Sequence, residues 1–290
     1  MSALAVLLIG LTVSVSAADR ITVRSRYAEV AGDASARELA ARVAALVDDA
    51  VPHIAPLVGT QDLRPVRATI YRDRRQFTLA AGIPPRAAVV GLASFPSQVI
   101  HIDGTGLLAS IERIVPHEIA HVLIARAMSD SLAALPAWVN EGIAEYAAGE
   151  RASRVDPVTL SAIGRGESIP LAQLDSAFGD KGRTPGLAYT EAASIVNYLV
   201  ASRGPEAIAK LLAATRQQGD FGSALSQVTG MNMAQLESSW RRSVSRRWRW
   251  ALLFQSQALI LGLMLVLFIA GYIRYRRERR RRQEMADADW

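Results

Sequence analysis

The stretch that decides the fold and the chemistry is Pro116-His117-Glu118-Ile119-Ala120-His121, the start of PHEIAHVLIAR at residues 116–126. Residues 107–128 have apolar side chains at helical spacing, which predicts a helix through this stretch. Positions i and i+4 of a helix project from the same face, so both imidazoles can reach one metal ion. Glu118 lies one position round from His117, where a carboxylate can act as a base on metal-bound water.

A second stretch supplies the third ligand, which is acidic. Glu141 stands twenty residues after His121, in LPAWVNEGIAEY at 135–146, and lies on the next predicted helix, 137–149. A turn between the two helices returns the chain antiparallel, which brings Glu141 opposite the two histidines and completes a His2Glu catalytic zinc site. Glu145, one helical turn further on, is placed to accept the free ring N–H of a ligating histidine. For both carboxylates the alternative is a solvated helix face.

The net charge of +6 is confined to one end of the chain. Residues 241–290 contain twelve Arg and four acidic residues, whereas residues 19–240 contain 21 basic and 23 acidic residues. This distribution argues against nucleic acid as a partner, because a nucleic-acid-binding domain places its positive charge on the folded module. The absence of Cys excludes disulfide scaffolds, thiolate zinc fingers and cysteine nucleophiles.

The N-terminus predicts export. Ala3–Val15 is an apolar run followed by small residues, which is typical of a signal peptide at 1–18 cleaved after Ala18. The first two residues contain no basic side chain, so an uncleaved N-terminal anchor is the alternative. Arg outnumbers Lys 31 to 2 and Ala is abundant, a composition that we interpret as bacterial coding bias.

A second apolar stretch, Ala251–Ile273, predicts one transmembrane helix over 250–273, with the lipid bilayer as a partner. Five Arg precede this stretch and seven follow it, and aromatic residues flank both ends. Combined with the signal peptide, this predicts a single-pass protein of the bacterial cell membrane. The domain would lie on the periplasmic or extracellular side, and the basic tail 274–290 in the cytoplasm.

The exported region is predicted to be an α+β domain. Strands are expected at 21–27, 66–71, 87–93 and 98–102, with a helix at 34–58 among them. From residue 107 onward the pattern is helical. Its segments are 107–128, 137–149, 188–203, 205–218, 221–229 and 233–246. We therefore expect a small mixed β-sheet in an N-terminal α/β lobe, 19–105, and a mainly helical, zincin-type lobe with the zinc site, 106–246.

The two central stretches are similar to the gluzincin zinc metallopeptidases, the thermolysin-like clan, whose third ligand lies in an N-E-x-x-x-D/E element. The chain resembles the bacterial peptidase MA-like proteins more closely, because further motifs of that family recur downstream. They are AYTEAASIVNYL at 188–199, Arg203-Gly204, and LESSW at 236–240. The resemblance covers roughly residues 60–245 and is most specific at 116–146.

The resemblance implies His117, His121 and Glu141 as the ligands of one Zn2+ ion and Glu118 as the general base. It also makes Tyr189 a candidate hydrogen-bond donor to the oxyanion, with core packing as the alternative for this aromatic residue.

The strand 98–102 resembles the edge strand on which such peptidases bind an extended substrate. On it, we expect His101 to be a structural or surface residue rather than a part of the cleft.

The function expected from these features is that of a membrane-anchored, exported zinc metallopeptidase that acts on a peptide or protein substrate. The alternative is a catalytically idle protein of the same fold that binds or assembles a membrane complex. Zinc-dependent hydrolysis of a non-peptide amide would use the same residues. The sequence does not indicate the oligomeric state.

Overall fold

The structure is a computed structural model that describes residues 20–85, 89–95, 97–105, 111–149, 161–162, 164–178, 185–255 and 257–288. In the two C-terminal helices it describes side chains at 233–246 and 261–280. The predicted signal peptide, 1–18, lies outside the described residues.

The described chain is rich in strands first and in helices later, as the sequence predicts for an α+β domain. The strands are β1 (Arg20–Arg24), β2 (Ala28–Asp33), β3 (Val66–Tyr71), β4 (Gly91–Ser94) and β5 (Val99–Asp103). The helices between them are α1 (Arg37–Val58) and α2 (Arg74–Ala81). The helices that follow are α3 (Ile111–Met128), α4 (Ala137–Ala148), α5 (Leu171–Leu174), α6 (Pro185–Arg203), α7 (Ala207–Gln218), α8 (Phe221–Thr229), α9 (Met233–Gln255) and α10 (Gln257–Ala288).

The five strands form one mixed sheet in the order β1-β2-β3-β5-β4. The β2–β3 and β3–β5 pairs are parallel, and the two outer pairs are antiparallel. β4 is therefore an edge strand, and β5 lies inside the sheet. The expectation that 98–102 forms the edge strand is wrong, because strand order depends on tertiary pairing that the local pattern does not encode.

One face of the sheet packs against α1 and α3 and forms the core. On β3 the alternate residues Val66, Ala68 and Ile70 are buried, and they pair in register with a strand that buries Ile100 and Ile102. α2 contacts the opposite face, where the ring of Phe77 lies 6.2 Å from that of Tyr71. This arrangement places α3, the helix with the two histidines, directly beside the β4 edge.

The C-terminal region differs from the expectation of a membrane span at 250–273. Among the residues described, no helix has both the length and the apolar content that a bilayer crossing requires. In α10 the described apolar side chains at 261–273 are followed by Arg274 and the arginines after it. The structure therefore does not support the predicted transmembrane helix.

Candidate metal centre and active site

The two histidines lie together on the inner face of α3. His121 is buried, His117 is partly buried, and their Nε2 atoms are 3.1 Å apart. The neighbouring Ile119, Val122 and Leu123 are fully buried in the core, which fixes the rotation of the helix about its axis. Because the core holds the rest of α3, both imidazoles are aimed into the same cleft.

Glu141 enters this cleft from α4, which follows α3 after a 3-10 turn at Ser129–Ala134. Its Oε2 atom lies 3.6 Å from the Nε2 atom of His117 and 3.6 Å from that of His121. The potential ligand atoms of the three residues all lie within 4.8 Å of one another. The antiparallel return that the sequence predicts thus brings the three side chains together.

The three side chains fit a zinc ion in donor type and in spacing. Ligand atoms about 2.1 Å from a tetrahedral zinc are separated by about 3.3 Å. The separations of 3.1 and 3.6 Å bracket that value. Two imidazoles and one carboxylate are a common catalytic set, and three protein ligands leave one position for water or substrate. His117, His121 and Glu141 could therefore hold one Zn2+ ion.

The electrostatics of the group favour a cation at its centre. Burial lowers the pKa of His121, but hydrogen bonding to Glu141 and the negative charges of Glu141 and Glu118 outweigh it and raise that pKa to about 9. Burial raises the pKa of Glu141, but hydrogen bonds from His117 and His121 outweigh it and lower that pKa to about 2. A proton held between these groups in the metal-free protein occupies the place that a metal ion would take.

The outer ring nitrogens of the histidines also have partners, which fix the ring orientations. His121 Nδ1 lies 3.0 Å from Asn140 Oδ1, and His117 Nδ1 lies 3.5 Å from Glu145 Oε1. Glu145 in turn accepts a hydrogen bond of 2.6 Å from Arg113 Nη2. Glu145 therefore lies where the sequence places it, whereas Asn140 and Arg113 were not predicted. Their only sequence signal is their position one residue before Glu141 and four before His117.

Glu118 is buried beside the histidines and faces the sheet edge. Its Oε2 atom accepts a 2.7 Å hydrogen bond from the backbone N–H of Ala93 on β4. The carboxylate lines a cavity of about 300 Å³. The lining also includes His117, Glu145, Tyr189, Arg113, Ile114 and the segment 89–91. A carboxylate therefore stands next to the potential metal site in a space that could admit part of a substrate.

Tyr189 reaches the same cavity from α6 and lies half-buried there. Burial raises the pKa of its hydroxyl to about 12, helped by the negative charges of Glu141, Glu145 and Glu118. The hydroxyl is therefore protonated at neutral pH and can donate a hydrogen bond. Phe178 packs edge-on against its ring, with 5.1 Å between ring centroids.

A glycine allows α6 to come close enough to place Tyr189. A Cβ atom built on Gly142 would lie 2.7 Å from the backbone oxygen of Ala192 on α6, nearer than real Cβ contacts come. Only a residue without a side chain permits this approach of α4 and α6. Gly142 thus allows α4, which contains Glu141, to pack closely against α6, which contains Tyr189.

His101 lies away from this site, as the sequence predicts for a structural histidine. It is buried on β5, and its Nδ1 atom is 2.9 Å from the hydroxyl of Tyr71. The two rings are stacked with 5.7 Å between centroids. Burial lowers the pKa of His101, in keeping with a neutral ring in the sheet.

Comparison with known proteins identifies a family. The family model of the Peptidase MA superfamily matches residues 46–246, a range that contains α3, α4 and α6 and every residue of the cavity. No curated protein gives a significant match to the chain.

Proposed function

Because the chain belongs to the Peptidase MA superfamily, we propose that it is a zinc-dependent metallopeptidase that hydrolyses peptide bonds. The observation that supports this most is the convergence of His117, His121 and Glu141 within 4.8 Å beside the buried carboxylate of Glu118. A catalytically idle protein would have no use for a base next to an intact ligand set.

Each polar side chain has a distinct task in this proposal. Zinc, when bound, supplies a Lewis acid and lowers the pKa of its water to about 7. The Glu118 carboxylate accepts the proton of the attacking water and passes it to the leaving amine. The Tyr189 hydroxyl, which stays protonated, donates a hydrogen bond to the carbonyl oxygen as negative charge develops on it. Glu145 and Asn140 orient the two imidazoles.

The proposed substrate is an extended peptide that adds to the edge of the sheet. β4 pairs with β5 on one side only and runs past Glu118, to which Ala93 is hydrogen-bonded. Main-chain pairing with an exposed edge strand binds a peptide with little dependence on its sequence. In this proposal the peptide pairs with the main chain of Gly91–Ser94.

The test combines metal analysis with proteolysis of fluorescein-labelled casein by the purified full chain. We expect one zinc per chain in the wild type. Glu118→Gln should retain the zinc and lose activity by a factor of about 10²–10⁴, because the proton-transfer step loses its base. Tyr189→Phe should retain the zinc and lower kcat by a smaller factor. A wild type without stoichiometric zinc, or a Glu118→Gln variant as active as wild type, would contradict the proposal.

The same proposal places the domain outside a bacterial cytoplasm and at a membrane. Its support is the sequence: an apolar leader at 3–15, and the apolar stretch 251–273 between two groups of arginines. In the described part of α10, Leu263, Val266 and Phe268 are 62–72% exposed, which is unfavourable in water. No helix among the described residues is long and apolar enough to cross a bilayer, so the support for this location is the sequence of 251–273. Sedimentation of the full chain with membranes is the test.

A further inference from the structure

One wall of the active-site cavity is a short segment of chain that leads into the edge strand. Val89, Val90 and Gly91 line the cavity together with His117 and Glu118. Val89 and Val90 are only partly buried, so their side chains hold the segment only in part. Its position therefore also depends on the groups that bond to its carbonyls.

Those groups form a polar frame on the side of the segment away from the histidines. Arg74 Nη1 donates to the carbonyl oxygen of Val89 at 2.5 Å and to Asp103 Oδ2 at 2.6 Å. The backbone N–H of Asp103 donates to the carbonyl oxygen of Val90 at 2.8 Å. Asp103 Oδ1 also accepts from the backbone N–H of Thr105 at 2.9 Å and from its hydroxyl at 2.6 Å. The frame thus joins the first turn of α2 and the end of β5 to the cavity wall.

Burial and charge-assisted hydrogen bonds make the frame rigid. The side chain of Asp103 is 3% exposed, and that of Arg74 is 32% exposed with its guanidinium 5.2 Å from the centre of the Phe77 ring. Burial raises the pKa of Asp103, but hydrogen bonds from Thr105 and Arg74 outweigh it and lower that pKa, so the carboxylate stays charged. Charge-assisted hydrogen bonds of this length are among the stronger ones in proteins.

The frame also determines which backbone groups remain open to a peptide. In an antiparallel pair, successive residues direct their N–H and C=O groups alternately toward and away from the partner strand. Val90 bonds to β5 through Asp103, so the N–H and C=O groups of Gly91 and the C=O group of Ala93 point to the free edge of β4. The hydrogen bond from Ala93 N–H to Glu118 agrees with this alternation. Loss of the frame would disturb the register of the edge as well as the wall.

At Gly91 the segment is in close contact with α3. A Cβ atom built on Gly91 would clash with Ile114 of α3 and lie 3.4 Å from Glu118 Cγ. The wall is therefore held between the frame and the helix of the metal ligands.

We propose that Arg74 and Asp103 are positioning residues for the peptide substrate: the Asp103 carboxylate holds the Arg74 guanidinium on the carbonyl of Val89. Together with the backbone hydrogen bond from Asp103 to Val90, this keeps the cavity wall and the edge of β4 ready to pair with a peptide. The inference rests on the proposed peptidase function and deepens it. Neither residue lines the cavity or belongs to the ligand set, so both act on binding through the backbone.

The experiment compares two hydroxamate inhibitors on the full chain. Acetohydroxamate contacts little beyond the metal, whereas an N-blocked tripeptide hydroxamate also needs the wall and the edge strand. We expect Arg74→Gln and Asp103→Asn to weaken the tripeptide probe about tenfold, the effect of losing one hydrogen bond to a charged group. Both variants should retain zinc, bind acetohydroxamate within about twofold of wild type, and raise the KM for casein more than they lower kcat.

Controls separate positioning from general loss of structure. Arg74→Lys should restore part of the tripeptide affinity, and the double variant should be no weaker than Arg74→Gln, because both residues act as one unit. Arg64→Gln breaks a more exposed ion pair with Asp62, away from the cavity, and should change neither probe. If Arg74→Gln fails to fold, Thr105→Val removes a single hydrogen bond to Asp103 and should produce a smaller change in the same direction.

The outcomes distinguish the two proposals. An unchanged ratio of the two affinities in folded variants would overturn the positioning role, as would an equal loss of both accompanied by loss of zinc. A wild type that binds neither zinc nor either hydroxamate would instead overturn the metallopeptidase proposal itself.

Discussion

At the scale of single residues, Glu191 is a fully buried acid outside the candidate metal site. Its side chain is completely buried on α6, and the backbone N–H of Ile169 donates to both of its oxygens, at 3.0 and 3.3 Å. Burial raises the pKa of Glu191 to about 7, with Glu237 adding to the rise and Ile169 and Arg241 opposing it. The fold therefore favours the protonated acid.

This predicts a pH-dependent stability that Glu191→Gln removes. The folded pKa, about 7, lies above the ordinary value of 4.5, so the folded state retains the proton more strongly than the unfolded chain. The free energy of unfolding should fall as pH rises from about 4.5 to about 7 and remain lower above that range. Gln mimics the neutral acid, and at pH 8 the variant should be more stable by on the order of 2 kcal/mol.

The measurement is urea unfolding between pH 4 and pH 8, with a chelator present so that metal binding adds no pH dependence. Glu206→Gln is the control, because the Glu206 side chain is exposed and burial does not raise its pKa above the usual value. If wild type and Glu191→Gln change in parallel with pH, Glu191 is not the titrating group.

At the scale of elements, the contact between α4 and α6 brings the third ligand and the tyrosine into one cavity. We expect Gly142→Ala to destabilise the protein by about 1–3 kcal/mol, because the new methyl group would force apart two helices in close contact. Hydrolysis should fall further than stability accounts for, since Glu141 and Tyr189 lie on the two helices that separate. Thermal melts and casein proteolysis measure the two effects.

Gly186→Ala is the control for that substitution, because no atom lies within 4 Å of a Cβ built at Gly186. Gly142→Ala protein with wild-type stability and activity would show that the close approach is unnecessary.

Elements with a strong local signal were predictable, and those defined by partners were not. Strand 66–71 and helix 221–229 match the prediction in both bounds. β2 was missed because the strand predicted at 21–27 runs through the tight turn that separates β1 from β2. α2 was missed because it has only eight residues, half of them polar. α2 does have a local start signal, since the Asp73 side chain accepts from the backbone N–H of Arg75.

At the scale of the whole molecule, the domain with the candidate site is followed along the chain by a helix whose described side chains, at 261–280, are exposed and mostly apolar or basic. We predict that the full chain sediments with bacterial membranes and needs detergent for release, whereas a chain ending at residue 246 is released in soluble form from the same cells. Both should bind zinc, since the family match ends at 246. Recovery of the full chain in the soluble fraction would contradict the membrane location.

Some residues of the candidate site were predictable from local sequence, and others were not. His117, His121, Glu118 and Glu141 follow from spacing on two helices, because i and i+4 positions share a face whatever surrounds them. Ala93 and the Arg74–Asp103 pair come from tertiary contacts between distant segments, and no local pattern marks them. The frame around the site is therefore less predictable than its centre.

The hairpin of α3 and α4 has a consequence for the order of folding. His117 and Glu141 are 24 residues apart, whereas Tyr189 comes 48 residues after Glu141. Closing a short loop costs little chain entropy, so nearby partners meet first. During synthesis, His117, His121 and Glu141 can therefore come together before Tyr189 is available. The hairpin would then form first, and α6 would complete the candidate site on it.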